Sequence, residues 1–235
     1  MRVTFLNCNV DDVTLAESVV KIEEIIKKKQ PSQHITIDPS KINAMQKDLS
    51  LRLIVNKSPL INTASPVILY ASKVLKRPLH QIVSTKLLFI ELLKKCEEHG
   101  YRPYFFGSKD TALEGAVNYI KKMHPTIDIA GCSIGYLKRE DPLEVVKEIQ
   151  KSQADILFVA FPSPQKEYWI DEYINQLKVP FVMGVGVDFD VLADEIKTTQ
   201  LTKISKKIRR FQPKNLFENT LLFVYTLKAR VKSQS

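Results

Sequence analysis

Short, strand-like apolar stretches recur at 2–7, 33–37, 58–62, 102–106, 126–131, 154–160 and 179–184, and most are separated by helix-length segments whose apolar residues lie three and four apart. No other feature restricts the fold so strongly. A strand followed by a helix before the next strand favours parallel pairing, with the helices laid across the sheet. The expected class is α/β: a Rossmann-like, largely parallel sheet with helices on both faces, carrying a basic helical C-terminal appendage. A chain of 235 residues can bury a full core as one α/β domain or as one domain with an appendage.

Residues 154–190 concentrate this pattern. The strand Asp155-Ile-Leu-Phe-Val-Ala160 leads into a loop that opens a helix, Ser163-Pro-Gln-Lys-Glu-Tyr-Trp169. A second strand, Val179–Met183, then ends on Gly184-Val-Gly186-Val-Asp188-Phe-Asp190. Such a run sets polar side chains and unpaired helix-start N–H groups at the carboxyl ends of adjacent strands, where open α/β sheets bind ligands. A charged small molecule is the expected ligand. Asp141-Pro-Leu-Glu144 reads as a capping box with proline at the first helical position, and Ser163-Pro164 as a cap followed by the same proline placement. After it, Trp169, Ile170, Tyr173, Ile174 and Leu177 mark one buried face. Lys86–Leu93 is almost uniformly apolar after its first residue, Glu91 being the exception, as a helix enclosed by the fold or by another subunit would be.

The apolar content of 44% is ordinary for a soluble protein, and no run approaches the roughly 20 apolar residues of a membrane-spanning helix. The first ten residues carry no signal-type core, so a cytoplasmic location is expected. Cys8, Cys96 and Cys132 are too scattered for a disulfide or metal framework and read as reduced, buried thiols. The histidines His34, His80, His99 and His124 show no ligand spacing, so neither a metal nor a cofactor is expected. Charge is uneven: residues 201–235 hold nine Lys/Arg against Glu218 alone, a net of +8 out of the total of +9. Composition changes near residue 195, which divides the chain into an expected α/β domain, 1–195, and a basic appendage, 196–235, packed on it.

Helix starts at strand ends carry unpaired N–H groups and partial positive charge, which suit phosphate. Gly107-Ser108, Ser163 and Gly184-Val-Gly186 are such places, and each read alone is also an ordinary βα turn. Together they favour one shared cleft. Gly184-x-Gly186 lacks the third glycine of the dinucleotide fingerprint, and no Walker-type sequence exists. Asp188 and Asp190 suit helix capping or hydrogen bonding to a sugar. Thr36 and Asp38, two apart at a strand end, share a face, and Asp38 before Pro39 also reads as a helix cap.

The run from Asp155 through Ile170, followed by Val185-Gly-Val-Asp-Phe-Asp-Val-Leu-Ala193, resembles the WecG/TagA/CpsF glycosyltransferases, glycosyltransferase family 26. Those proteins carry Gly-x-Pro-Lys-Gln-Glu-x-Trp and then Val-Gly-Val-Gly-x-x-Phe-Asp at matching places. The likeness extends to Phe105-Phe-Gly-Ser-Lys109, to Gly131 with Gly135-Tyr136, to Thr36-x-Asp38 where the family has Thr-x-Asn, and to Arg209-Arg-Phe-Gln-Pro213. It implies inverting, metal-independent transfer of an N-acetylmannosamine-type sugar from a UDP donor to a polyprenyl-diphosphate-linked acceptor at the inner membrane surface. Carried over, it places a nucleotide-sugar site at Gly107, Ser108, Gly135, Tyr136, Pro164, Gln165, Glu167, Gly184, Gly186, Asp188 and Asp190. It also assigns diphosphate and membrane contacts to Arg209, Arg210 and Lys214, since each basic residue near an anionic membrane surface adds about 1 kcal/mol.

The departures bear on catalysis. The family's Pro-Asp-Gly, whose aspartate is the proposed general base, falls on Thr63-Ala64-Ser65. Its arginine aligns with Ile82, the Gly and Asp after it with Thr85 and Leu87, the Lys-Gln pair is inverted as Gln165-Lys166, the second glycine pair reads Gly186-Val187, and Arg-Ala-Pro has become Thr-Thr-Gln at 198–200. A positioned base contributes roughly 10²–10⁴-fold in rate, and Ala64 cannot act as one. One reading is an atypical transferase in which Asp38 is the substitute base, acting with Thr36, while Lys166, Arg209 or Arg210 neutralises the departing diphosphate. Another is a catalytically impaired homologue, a binding or partner subunit in a homo-oligomer or in a heteromer with an active transferase. The basic tail on charge alone also suits nucleic acid.

Overall fold

The computed structural model describes residues 1–108, 110–135, 142–185 and 213–232. The chain begins with an antiparallel hairpin of β1 (Arg2–Phe5) and β2 (Cys8–Asp11), not the single strand over 2–7 that the sequence suggested. Leu6 and Asn7 take φ of 48° and 58°, the paired left-handed conformations that close a two-residue hairpin turn. That turn lacks an Asn-Gly signal, so it is hidden in the sequence. Buried Asp11 fixes the hairpin to the body by accepting from the Arg2 guanidinium at 2.7 Å and from the Ile61 amide at 2.8 Å.

The remaining strands are β3 (Ser32–Ile37), β4 (Leu60–Thr63), β5 (Pro103–Gly107), β6 (Gly131–Ser133), β7 (Ile156–Ala160) and β8 (Phe181–Gly184). They form one six-stranded sheet in the order β4-β3-β8-β7-β5-β6, with every neighbouring pair parallel, as the alternation of elements predicts. The stretch expected as a strand over 126–131 is the exception. Pairing starts only at Gly131, opposite Tyr104, because Ile127 and Ile129 turn into the core instead of joining the ladder.

The helices are α1 (Leu15–Lys28), α2 (Pro39–Lys47), α3 (Leu49–Lys57), α4 (Pro66–Val74), α5 (Thr85–His99), α6 (Asp110–Met123), α7 (Pro142–Ser152), α8 (Gln165–Leu177) and α9 (Pro213–Lys232). Alternate strand residues feed opposite faces, as the period of two demands. Phe105, Phe158, Phe181 and Met183 pack under α1, α5 and α6, whereas Tyr104, Phe106, Leu157, Val159 and Val182 pack under α7 and α8. A third cluster joins Ile35, Ile37 and Ile61 to the hairpin, α2, α3, α4 and Leu222 of α9.

The enclosed helix expected at 86–93 is the first half of α5, with Leu88, Phe89, Leu92 and Leu93 buried and Leu87 exposed. In α8, Trp169, Ile170, Ile174 and Leu177 are buried on one face as expected. Its start differs: Pro164, not Ser163, is the N-cap, because the Pro164 carbonyl already accepts from the Glu167 and Tyr168 amides. Pro142 opens α7 as expected, while Asp141 lies outside the described residues. Cys132 is exposed, not buried, since it lies on the edge strand β6. The boundary expected near 195 also falls outside the described residues. The described part of the tail is α9, which lies on α2 and α4 and ties down through bonds from Asn43 Nδ2 to the Glu218 carbonyl and carboxylate, at 2.9 and 2.7 Å.

Candidate active site

β5 hands the chain to α6 on one face of the sheet, whereas its neighbour β7 hands it to α8 on the other. Divergent connections of this kind open a crevice at the carboxyl ends of the strands. Gly107 sits at its edge with φ +112°, and a Cβ built there would lie 2.7 Å from the Ala160 carbonyl oxygen, so only glycine fits. Ser108 follows with φ +68°. Its carbonyl accepts from the Gly135 amide at 3.3 Å, and its buried hydroxyl has no protein partner. A buried hydroxyl at a strand end without a partner is a place for a ligand atom. Gly107, Ser108 and Gly135 are thus brought together from β5 and β6.

Farther along the same edge, Pro164 and Gln165 are exposed at the start of α8, which has no side-chain cap. Lys166 folds back across the end of β8: a Cβ on Gly184 would stand 2.7 Å from its Cε. Glu167 is fully buried and takes Lys41 of α2 as its partner, Nζ to Oε1, at 2.6 Å. Lys41 Nζ also donates to the Thr36 carbonyl at 2.8 Å, so one ammonium joins β3, α2 and α8. Although burial pushes the Glu167 pKa up, the charges of Lys41 and Lys166 and hydrogen bonds from Lys41 and Ser163 hold it below the usual range. Lys166 is lowered by burial and then by the charge of Lys41, against the pull of Glu167 and Asp38.

Asp38 is exposed and caps α2, accepting from the Lys41 amide at 2.8 Å. Ile37 pairs with Thr63 as the last pair of the β3–β4 ladder, so Asp38 and Ala64 are the residues that follow it on the two chains. The divergent 62–87 region forms the end of β4, then α4, an irregular stretch over 75–84, and the start of α5. The Val83 amide donates to the Thr63 carbonyl at 2.9 Å, and this brings Thr85 Oγ1 to 3.1 Å from Thr36 Oγ1. Ile82, where the family's arginine aligns, is 41% exposed.

Of the sequence-derived candidates, Thr36, Asp38, Gly107, Ser108, Gly135, Pro164, Gln165, Lys166, Glu167 and Gly184 lie along this one edge. Tyr136, Gly186, Asp188, Asp190, Arg209 and Arg210 lie outside the described residues, and Lys214 falls in the first turn of α9. Lys41 was missed. Its signal was an oddity: a lysine in the first turn of a helix opposes the helix dipole and asks for a nearby acid. That acid, Glu167, is 126 positions away. A cavity of about 230 Å³ lined by Pro31, Ser58 and Asn175 lies at the amino ends of β3 and β4, away from this chemistry.

Comparison with known proteins bears on this edge. The model of the glycosyl transferase WecG/TagA/CpsF family matches residues 3–217. An N-acetylglucosaminyldiphosphoundecaprenol N-acetyl-beta-D-mannosaminyltransferase of Bacillus spizizenii is 32% identical over 130 residues, covering 55% of this chain and 50% of the relative. Proteins of the same name are 28% identical over 162 residues in Bacillus subtilis, covering 69% of this chain and 62% of the relative, and 27% identical over 195 residues in Staphylococcus aureus, covering 82% and 76%. The chain thus spans only about half to three fifths of the two Bacillus relatives.

Proposed function

This chain belongs to the WecG/TagA/CpsF glycosyl transferase family, and from that premise we propose that it transfers an N-acetylmannosamine-like sugar from a UDP donor to a polyprenyl-diphosphate-linked acceptor in cell-surface polysaccharide synthesis. The relatives, named as N-acetylglucosaminyldiphosphoundecaprenol N-acetyl-beta-D-mannosaminyltransferases, support the acceptor and the sugar. The crevice around Gly107, Ser108 and Gly135 takes the nucleotide, with Gln165 and Gly184 on its other side, and the family likeness adds Gly186, Asp188 and Asp190 to the donor-binding set. The observation that carries catalysis is the register of β3 and β4, which sets Asp38 beside Ala64. A carboxylate one strand over takes the acceptor proton in place of the missing aspartate, beside the Thr36 hydroxyl. Lys166 offsets charge on the leaving diphosphate. A single displacement inverts the anomeric centre, and the family likeness implies that no metal is required.

We propose further that the protein works peripherally at the inner face of the cell membrane. Among the described residues no helix is long and apolar enough to cross a membrane. The face of α9 turned away from Leu222 and Thr226 carries exposed Phe217, Phe223, Val224, Leu227 and Val231, with Lys228 among them. An apolar face with basic neighbours suits an anionic lipid surface. Arg209, Arg210 and Lys214 add charge for lipid and acceptor diphosphate.

Calorimetric titration with UDP, UDP-GlcNAc and UDP-ManNAc tests the first proposal, and heat from none of them would remove it. Asp38→Asn keeps the cap, since asparagine caps as well as aspartate. It should retain UDP binding and lose roughly 10²–10⁴-fold in turnover of a lipid-diphosphate-GlcNAc analogue. Unchanged turnover excludes Asp38 as the base, and donor binding with no turnover in the unaltered protein indicates a partner subunit.

A further inference from the structure

A buried lysine, Lys41, and a partly buried one, Lys166, share one buried carboxylate at the end of the crevice. Lys41 Nζ stands 2.6 Å from Glu167 Oε1, whereas Lys166 Nζ is 3.9 Å from the same oxygen, beyond hydrogen-bond range. Lys41 is tied down again by the Thr36 carbonyl, so it is the close, hydrogen-bonded partner of Glu167, and Lys166 keeps only a long ion pair with the same carboxylate. The Lys166 stem lies against Gly184 of β8, so packing helps to aim the ammonium beside its long ion pair with Glu167. The charged and titratable groups around it are Lys41 on α2, Glu167 on α8, Asp38 at the cap of α2, and His34 on β3.

We propose that Lys41 is a positioning residue for the transfer reaction: by holding Glu167 in the shorter, hydrogen-bonded pair, it leaves the Lys166 ammonium only loosely paired and directed at the diphosphate of the sugar-nucleotide donor. This rests on the donor assignment made above. Without Lys41, Glu167 recaptures Lys166, and the ammonium is withdrawn from the crevice. With Lys41 in place, the second ammonium meets a diphosphate as its first close anionic partner, and a cation of this kind gains most where water is excluded. The same packing explains why Lys166 holds its proton less firmly than an ordinary lysine: burial acts first, and the charge of Lys41 adds to it.

The test follows the ε-carbon shift of Lys166 by NMR across pH in the full, ligand-free chain, for the unaltered protein, Lys41→Met and Glu167→Gln, alongside calorimetry with UDP. The unaltered Lys166 should titrate below the ordinary lysine value of about 10.4. Lys41→Met should raise that midpoint by about one unit or more and weaken UDP roughly tenfold, while Glu167→Gln should lower it. A purely structural Lys41 would lower the melting temperature and leave the Lys166 midpoint in place. An ordinary midpoint in the unaltered protein, or one unmoved in whichever variant folds, overturns the proposal. If the midpoints move as stated but no UDP binds, the donor assignment fails and the partition of charge between the lysines is upheld.

Discussion

His34 on β3 lies 3.0 Å, Nε2 to Oδ1, from Asn62, whose amide donates to Ser18 of α1 at 3.3 Å. The Asn62 oxygen accepts, so Nε2 carries the proton and buried Nδ1 is left without a partner. Burial lowers the His34 pKa to about 4, against the pull of the Asn62 bond. The unfolded chain takes up this proton near pH 6.5 and the folded one only near 4, so stability falls as pH drops through that window. The loss is on the order of 3 kcal/mol. Urea unfolding between pH 7 and 4 should show it, and His34→Gln should flatten the slope. At Gly184 the space for a Cβ is filled by the Lys166 stem, a flexible group that can move. Gly184→Ala should therefore leave the melting temperature nearly unchanged and weaken UDP roughly tenfold, or about 1.4 kcal/mol, by calorimetry. Neither residue could be singled out this way from the sequence, because both effects depend on a partner brought in by another strand or helix.

Two glycines separate local propensity from tertiary constraint at the level of elements. Gly115 lies inside α6 with open space around a built Cβ, so Gly115→Ala should stabilise by about 0.5–1 kcal/mol in thermal unfolding. Gly107 ends β5 at φ +112° with backbone 2.7 Å away, so Gly107→Ala should cost about 1–3 kcal/mol and close the crevice between β5 and β7. The helix α9 is apolar on two sides, which is why its sequence lacks a one-sided stripe. Leu222 and Thr226 bury one side, and Phe217, Leu227 and Val231 leave the other exposed. Replacing Phe217 and Leu227 together with serine should weaken binding to anionic vesicles by roughly tenfold or more, each buried large apolar side chain contributing about 1.5–3 kcal/mol. Equal binding by the double variant would count against docking through α9.

At the scale of the molecule, deletion of residues 196–235 should reduce vesicle binding in a salt-sensitive way. It should also lower stability, because α9 covers the cluster that holds Ile42, Met45 and Ile68. Flotation assays at low and high salt, paired with melting curves, separate the two effects. The sequence by itself determined the α/β class, the parallel sheet and the basic tail, since these follow from periodicities and charges within a few residues of one another. Its run 155–170 also carried the family likeness. Only the tertiary structure decided that β3 lies between β4 and β8, which sets Asp38 beside Ala64 and brings Lys41 onto Glu167. The hairpin turn at Leu6–Asn7 and the outward face of Cys132 were decided there too. The physical reason is range: local spacing records which face a residue takes, whereas strand order and ion pairs are set by which distant surfaces bury one another.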